Sequence, residues 1–179
     1  MRATDHVLNN PNAYLMAQAI VPQQVGMGQV KMACTSGQLQ ALLGSCVGIG
    51  LIWKKRHRCA LAHCLLPDSP DGNAEMGARY VSQAVPSLLR MIGAGAEDYP
   101  DLEVVLAGGA HMLNARSSRL QVGQRNADAA QRYLREYGLN VSHCKLGGKC
   151  GRRLTIDCAT CAWTVQDIIA TQPQDMRHA

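Results

Sequence analysis

The sequence predicts a single α+β domain, with strands gathered early and late in the chain and helices between them. Three observations carry that expectation. Residues 47–53 and 59–66 are apolar runs separated by the charged stretch Lys54 to Arg58, the pattern of a β-hairpin. Residues 75–92 and 126–137 place apolar side chains at helical spacing. Residues 139–144 and 154–165 then return to strand-like runs. A chain of 179 residues suits one domain, and 47% apolar residues give it a core to bury.

Each element has its own signal. Residues 1–25 contain Asn-Asn-Pro-Asn and Val-Pro-Gln-Gln without clear periodicity, and read as a flexible leader. A strand begins near Gly28 to Cys34. In the first helix Val81, Val85, Leu88 and Ile92 form a stripe, with Pro86 expected to kink or split it. Residues 102–107 form a short buried strand that runs into Gly108-Gly109. Asn126 is placed to cap the second helix, and Gly138 to end it. A hairpin turning near Ala159-Thr160 closes the domain at about residue 166, and residues 167–179 read as a polar tail.

Composition narrows the function. The formal charge is +5, and the basic residues are scattered apart from clusters at 54–58 and 149–153. Aromatics make up only 4% of the chain. A nucleic-acid binder would show a basic stripe with aromatics among it, so no nucleic-acid partner is expected. The basic clusters suit solvated turns or an acidic protein partner. The apolar stretch 39–53 is too short and too interrupted for a membrane span. No apolar segment near Met1 resembles a signal peptide, so a cytoplasmic protein with reduced thiols is expected despite eight cysteines.

Two stretches carry candidate chemistry: Leu43-Gly44-Ser45-Cys46-Val47 and Ala62-His63-Cys64-Leu65-Leu66-Pro67. A hairpin turning at residues 54–57 brings Cys46 and His63 roughly opposite, on one face in certain registers only. An imidazole beside a thiol can take its proton and make a nucleophile. Gly44 permits a tight turn, whose amides can hold an oxyanion. From spacing alone, a buried cysteine beside a core histidine is the stronger reading. A second reading concerns Cys144, Cys150, Cys158 and Cys161. Cys158 and Cys161 have Cys-x-x-Cys spacing, but the other two break the pattern of a zinc ribbon. Ordinary thiols at a hairpin turn are the stronger reading, and no metal or cofactor is expected.

The two stretches resemble the bacterial chemoreceptor glutamine deamidase (CheD) family, which carries a Leu-Gly-Ser-Cys-Val element and a His followed by two residues and Leu-Pro. The resemblance continues through Gly108-Gly109-Ala110-His111-Met112, through Gly123-Gln124-Arg125-Asn126 and through the Gly147-Gly148 loop ending in Gly151-Arg152. It spans residues 28–165 in order. It implies a layered α/β sandwich with mixed sheets, like toxin-type cysteine deamidases, and a CheD-like domain over residues 26–166. It implies that Cys46 attacks glutamine carboxamides of chemoreceptor cytoplasmic helices and that His63 is the general base. Gln40, Gly44, Ser45, Arg125 and Asn126 then support the site or meet substrate, and a CheC-type phosphatase is an implied partner. Cys46 is accordingly expected to be the most readily alkylated cysteine. The sequence departs from the family where a Thr is usual, five or six residues before the cysteine; Ala41 and Gln40 stand there. Lys145-Leu146 occupies the place of an Asp, and Leu113 that of a Phe. These departures motivate an alternative, a non-catalytic adaptor on the same scaffold; a small zinc or redox module is the third reading.

Overall fold

The computed structural model describes residues 21–71, 75–111 and 122–168. Leu113, nearly all of the leader and nearly all of the tail lie outside them. Nine strands and two α-helices are described: β1 Gln23–Gln24, β2 Val30–Cys34, β3 Gln38–Leu43, β4 Val47–Trp53, β5 Arg58–Cys64, α1 Val81–Ile92, β6 Glu103–Gly108, α2 Val122–Glu136, β7 Val141–Leu146, β8 Gly151–Asp157 and β9 Ala162–Ile168. They form a four-stranded sheet in the order β1-β3-β8-β9 and a five-stranded sheet in the order β2-β5-β4-β6-β7. Both sheets are mixed, because β1 runs parallel to β3 and β6 parallel to β7.

Three layers follow from side-chain alternation. Every residue of β4 is buried, as a central strand covered on both faces must be. Val47, Ile49, Leu51 and Trp53 pack with Ala60, Ala62, Val104 and Leu106 against α1 and α2. The opposite face presents Ile52, Cys59, Leu61, Val105 and Ala107 to Leu39, Ala41, Leu43, Leu154 and Ile156 of the four-stranded sheet. That outer sheet alternates along β8 between buried and more exposed positions, the pattern of a half-buried sheet. The layered α+β sandwich with mixed sheets expected from the sequence is therefore the observed fold.

Several boundaries differ from expectation. The first helix starts at Val81 rather than near residue 75, and Pro86 sits within one continuous helix. Proline removes one N–H bond there, but Val81, Ala84, Val85, Leu88 and Ile92 are all buried, and tertiary burial outweighs local propensity. The second helix starts by Val122, so Asn126 lies inside it and is not its cap. Gly138, in the left-handed conformation, follows its end as expected. Gln23–Gln24, within the stretch read as leader, pair with Leu39 and Gln40 of β3.

Candidate active site

Cys46 lies in the turn between β3 and β4, where the chain passes from the outer to the central sheet. His63 lies near the end of β5, paired directly opposite Gly48 of β4. Continuing the alternation of β4 back from Gly48 places Cys46 on the face that His63 shares. The cysteine packs against the inter-sheet core, to which Leu61 and Cys59 of β5 also belong. The register is thus one of those that bring the two residues to a common face.

Backbone contacts hold the Cys46 turn. Gly109 N–H donates to the Cys46 carbonyl at 2.8 Å, and Ala110 N–H donates to the Gly44 carbonyl at 2.8 Å. Gly108 has φ +109°, and a Cβ there would collide with the Cys46 carbonyl. The Gly-Gly loop is therefore packed directly onto the Cys46 turn. Arg152, 6% exposed, donates from Nη1 to the carbonyls of Gly108 and Gly147 at 3.0 and 2.6 Å. Its Nε lies 3.2 Å from Asp167 Oδ1, at ion-pair distance but without hydrogen-bond alignment. This arginine pairs with a carboxylate.

His63 is 4% exposed. Its Nδ1 lies 3.0 Å from the Val25 carbonyl. A carbonyl only accepts, so Nδ1 carries the proton and Nε2 presents its lone pair. Nε2 is buried without a hydrogen-bond partner. Burial pulls the imidazole below its ordinary pKa, against the smaller opposing effect of the Val25 bond. Burial likewise pushes the Cys46 thiol above its ordinary range. Both shifts favour the uncharged forms, a neutral thiol and a neutral imidazole.

Cys34, Cys144 and Cys150 are exposed, whereas Cys46 is half-buried with a raised pKa.

The other site residues separate. Ser45 accepts at its carbonyl from Asn126 Nδ2 at 3.1 Å, and Gly44 is held by Ala110 as above. Arg125 is exposed in the first turns of α2. The Gln40 side chain does not bond His63: its Nε2 donates to Thr155 Oγ1 at 3.0 Å, and its Oε1 accepts from Gln24 at 3.0 Å. Alternation explains this, since Leu39 and Ala41 take the inward face of β3. Gln40 still contributes through its main chain. Its carbonyl accepts from Val25 N–H at 2.7 Å, and Val25 in turn accepts from His63. The contact of Val25 with His63 is not legible in the sequence, because a backbone carbonyl has no side-chain signature.

The late cysteines divide into two environments. Cys158 and Cys161 are buried beneath the β8–β9 turn, with Cys158 Sγ donating to the carbonyls of Ala33 and His57 at 3.1 and 3.3 Å. Cys144 and Cys150 are exposed. Among the described residues no group of three or more His, Cys, Asp or Glu side chains is arranged to hold a metal ion.

A thiol and an imidazole on one inter-sheet face, with the ring in the tautomer of a base, define a candidate cysteine hydrolase. The comparisons agree with that class. The family model described as CheD chemotactic sensory transduction matches residues 65–167. The chain is 36% identical over 138 residues to the "Probable chemoreceptor glutamine deamidase CheD" of Bdellovibrio bacteriovorus, covering 76% of this chain and 88% of that protein. It is 38% identical over 163 residues to the "Probable chemoreceptor glutamine deamidase CheD 2" of a Ruegeria species, covering 80% of this chain and 90% of that protein. A relative of the same name from Methanococcus vannielii is 35% identical over 134 residues. The chain belongs to the CheD family. The family-model match begins just after His63, but a span of 80% of the chain necessarily includes both Cys46 and His63.

Proposed function

We propose that the chain deamidates glutamine side chains on the cytoplasmic helices of chemoreceptors, with Cys46 as nucleophile and His63 as general base and acid. The observation that carries the assignment of roles is the buried, unpartnered Nε2 of His63 on the face that Cys46 shares. Its Nδ1–H, tied to Val25, keeps Nε2 free for the proton. The Cys46 thiol proton passes to Nε2 as sulfur attacks the carboxamide carbon. The C–N bond then breaks, and the imidazolium gives its proton to the leaving ammonia. Water, deprotonated by the same nitrogen, hydrolyses the thioester to glutamate and returns the thiol.

On this reading the enzyme works in the cytoplasm, where its substrate helices lie. A CheC-type phosphatase is proposed as a second partner on the family resemblance. Ammonia release from a glutamine-bearing receptor-helix peptide tests the function. Wild type is expected to release ammonia and Cys46→Ala none; near wild-type turnover by Cys46→Ala would reject the role given to Cys46. A silent wild type that still binds the receptor helix would favour the adaptor reading, which the loss of the family Thr motivates.

A further inference from the structure

The β4–β5 ladder ends at the pair Val47 and Cys64. Past that rung the two chains part. Cys46 leads back through Ser45 and Gly44 to the outer sheet, while Leu65 and Leu66 turn away to accept-and-donate pairing with another segment, both N–H groups donating to the Arg79 carbonyl at 3.1 Å. The carbonyls of Ser45 and Leu65 are left without a strand partner on either side of the parting. One side chain takes both. Asn126 Nδ2 donates to the Leu65 carbonyl at 2.7 Å and to the Ser45 carbonyl at 3.1 Å.

This asparagine is fully buried in α2, and its Oδ1 has no hydrogen-bond partner. A buried unsatisfied oxygen costs stability. Rotating the amide to exchange its two ends would set an oxygen against two carbonyl oxygens, so the donor pair fixes its orientation. The amide sacrifices its acceptor in order to make both donations. Both go to the residues that flank the chemistry: Ser45 immediately precedes the nucleophile, and Leu65 follows the base by two residues.

We infer that Asn126 is a positioning residue that ties the Cys46 turn to the end of the His63 strand and so fixes the thiol–imidazole geometry. This rests on the roles proposed above for Cys46 and His63. The residue touches neither substrate nor the reacting atoms. Its effect is that of one more rung, made by a side chain where the two backbones have separated.

Two substitutions and a control test the inference. Asn126→Asp keeps the shape but loses both donations, and Asn126→Ala loses shape as well. Leu134→Ala, a fully buried core change on the same helix, controls for lost stability. Misplaced reacting groups are expected to lower kcat by about ten- to a hundred-fold in both Asn126 variants, with KM within about two-fold of wild type. Leu134→Ala is expected to lower Tm without that kcat loss. Proton NMR titration of the His63 ring, assigned through His63→Gln, gives a readout independent of turnover. In Asn126→Asp the His63 pKa should rise toward its ordinary value as the parting opens to water. An unchanged His63 titration, or a kcat within two-fold of wild type in Asn126→Asp, would overturn the inference. Activity in Cys46→Ala would instead overturn the proposed function, and the His63 titration would still decide the role of Asn126.

Discussion

The carbonyl of Val25 accepts a 3.0 Å hydrogen bond from Nδ1 of His63, and Val25 is in turn held by the main chain of Gln40. A backbone atom thereby sets the tautomer of the imidazole. Side-chain orienters of histidine can be removed by substitution; this one can be moved only by moving the strand.

Replacing His63 by Gln removes the proton acceptor and keeps a polar side chain. Turnover is expected to fall by about 10²–10⁴-fold, the usual worth of a positioned acid–base group. Ammonia release under single-turnover conditions checks it, and a rate within a few-fold of wild type would make His63 a structural residue.

The pH profile should be broad. The reactive state needs His63 neutral and Cys46 protonated, or the equivalent ion pair. His63 is shifted down and Cys46 up, so kcat/KM should hold its plateau below about pH 6.5 and above about pH 8.5, the ordinary values of the two groups. A bell with limbs at those ordinary values would contradict the burial assigned to the pair.

Stability carries a related signature. Because the folded His63 pKa is depressed, the unfolded chain binds more protons between the folded value and about 6.5. Its contribution to stability is therefore lost as pH falls through that window. His63→Gln should lose less stability than wild type on acidification from pH 7, as read by denaturant midpoints; an equal loss would show that His63 is not titrating there.

Gly108→Ala combines backbone strain with a collision against the Cys46 carbonyl, whereas Gly138→Ala, at φ +70° with open space around it, carries the strain alone. Strain of this kind costs on the order of 1–3 kcal/mol. Gly138→Ala is expected to lower stability by that amount with turnover kept, and Gly108→Ala to lower both. Equal turnover in the two variants would separate the Gly-Gly loop from the nucleophile.

Much of this was legible in the sequence because periodicity reports burial. The β4–β5 hairpin and its charged turn, the stripe of α1 and the β8–β9 hairpin all follow from it. Register did not follow: the pairing of Gly48 with His63 puts Cys46 on the same face, a one-residue slip would not, and composition does not encode such a slip. Asn126 has the sequence profile of a cap, and its actual partners, the carbonyls of Ser45 and Leu65, are 81 and 61 residues away. Strand β3 lies outside the strand signals of the sequence, and with it the reason that Gln40 faces away from His63. Val25 lay in a stretch read as leader, although its side chain is 2% exposed.

The turn that carries Cys46 is also the seam between two sheets packed face to face. Its thiol position is therefore the resultant of two anchors, one in each layer, and the outer anchor is the weaker because only one of its faces is covered. A small slide of β3 and β8 over the central sheet would move the Cys46 turn relative to His63 of β5 while leaving both hydrophobic layers closed. Wear on the outer sheet would accordingly be felt first as lost chemistry and only later as lost fold.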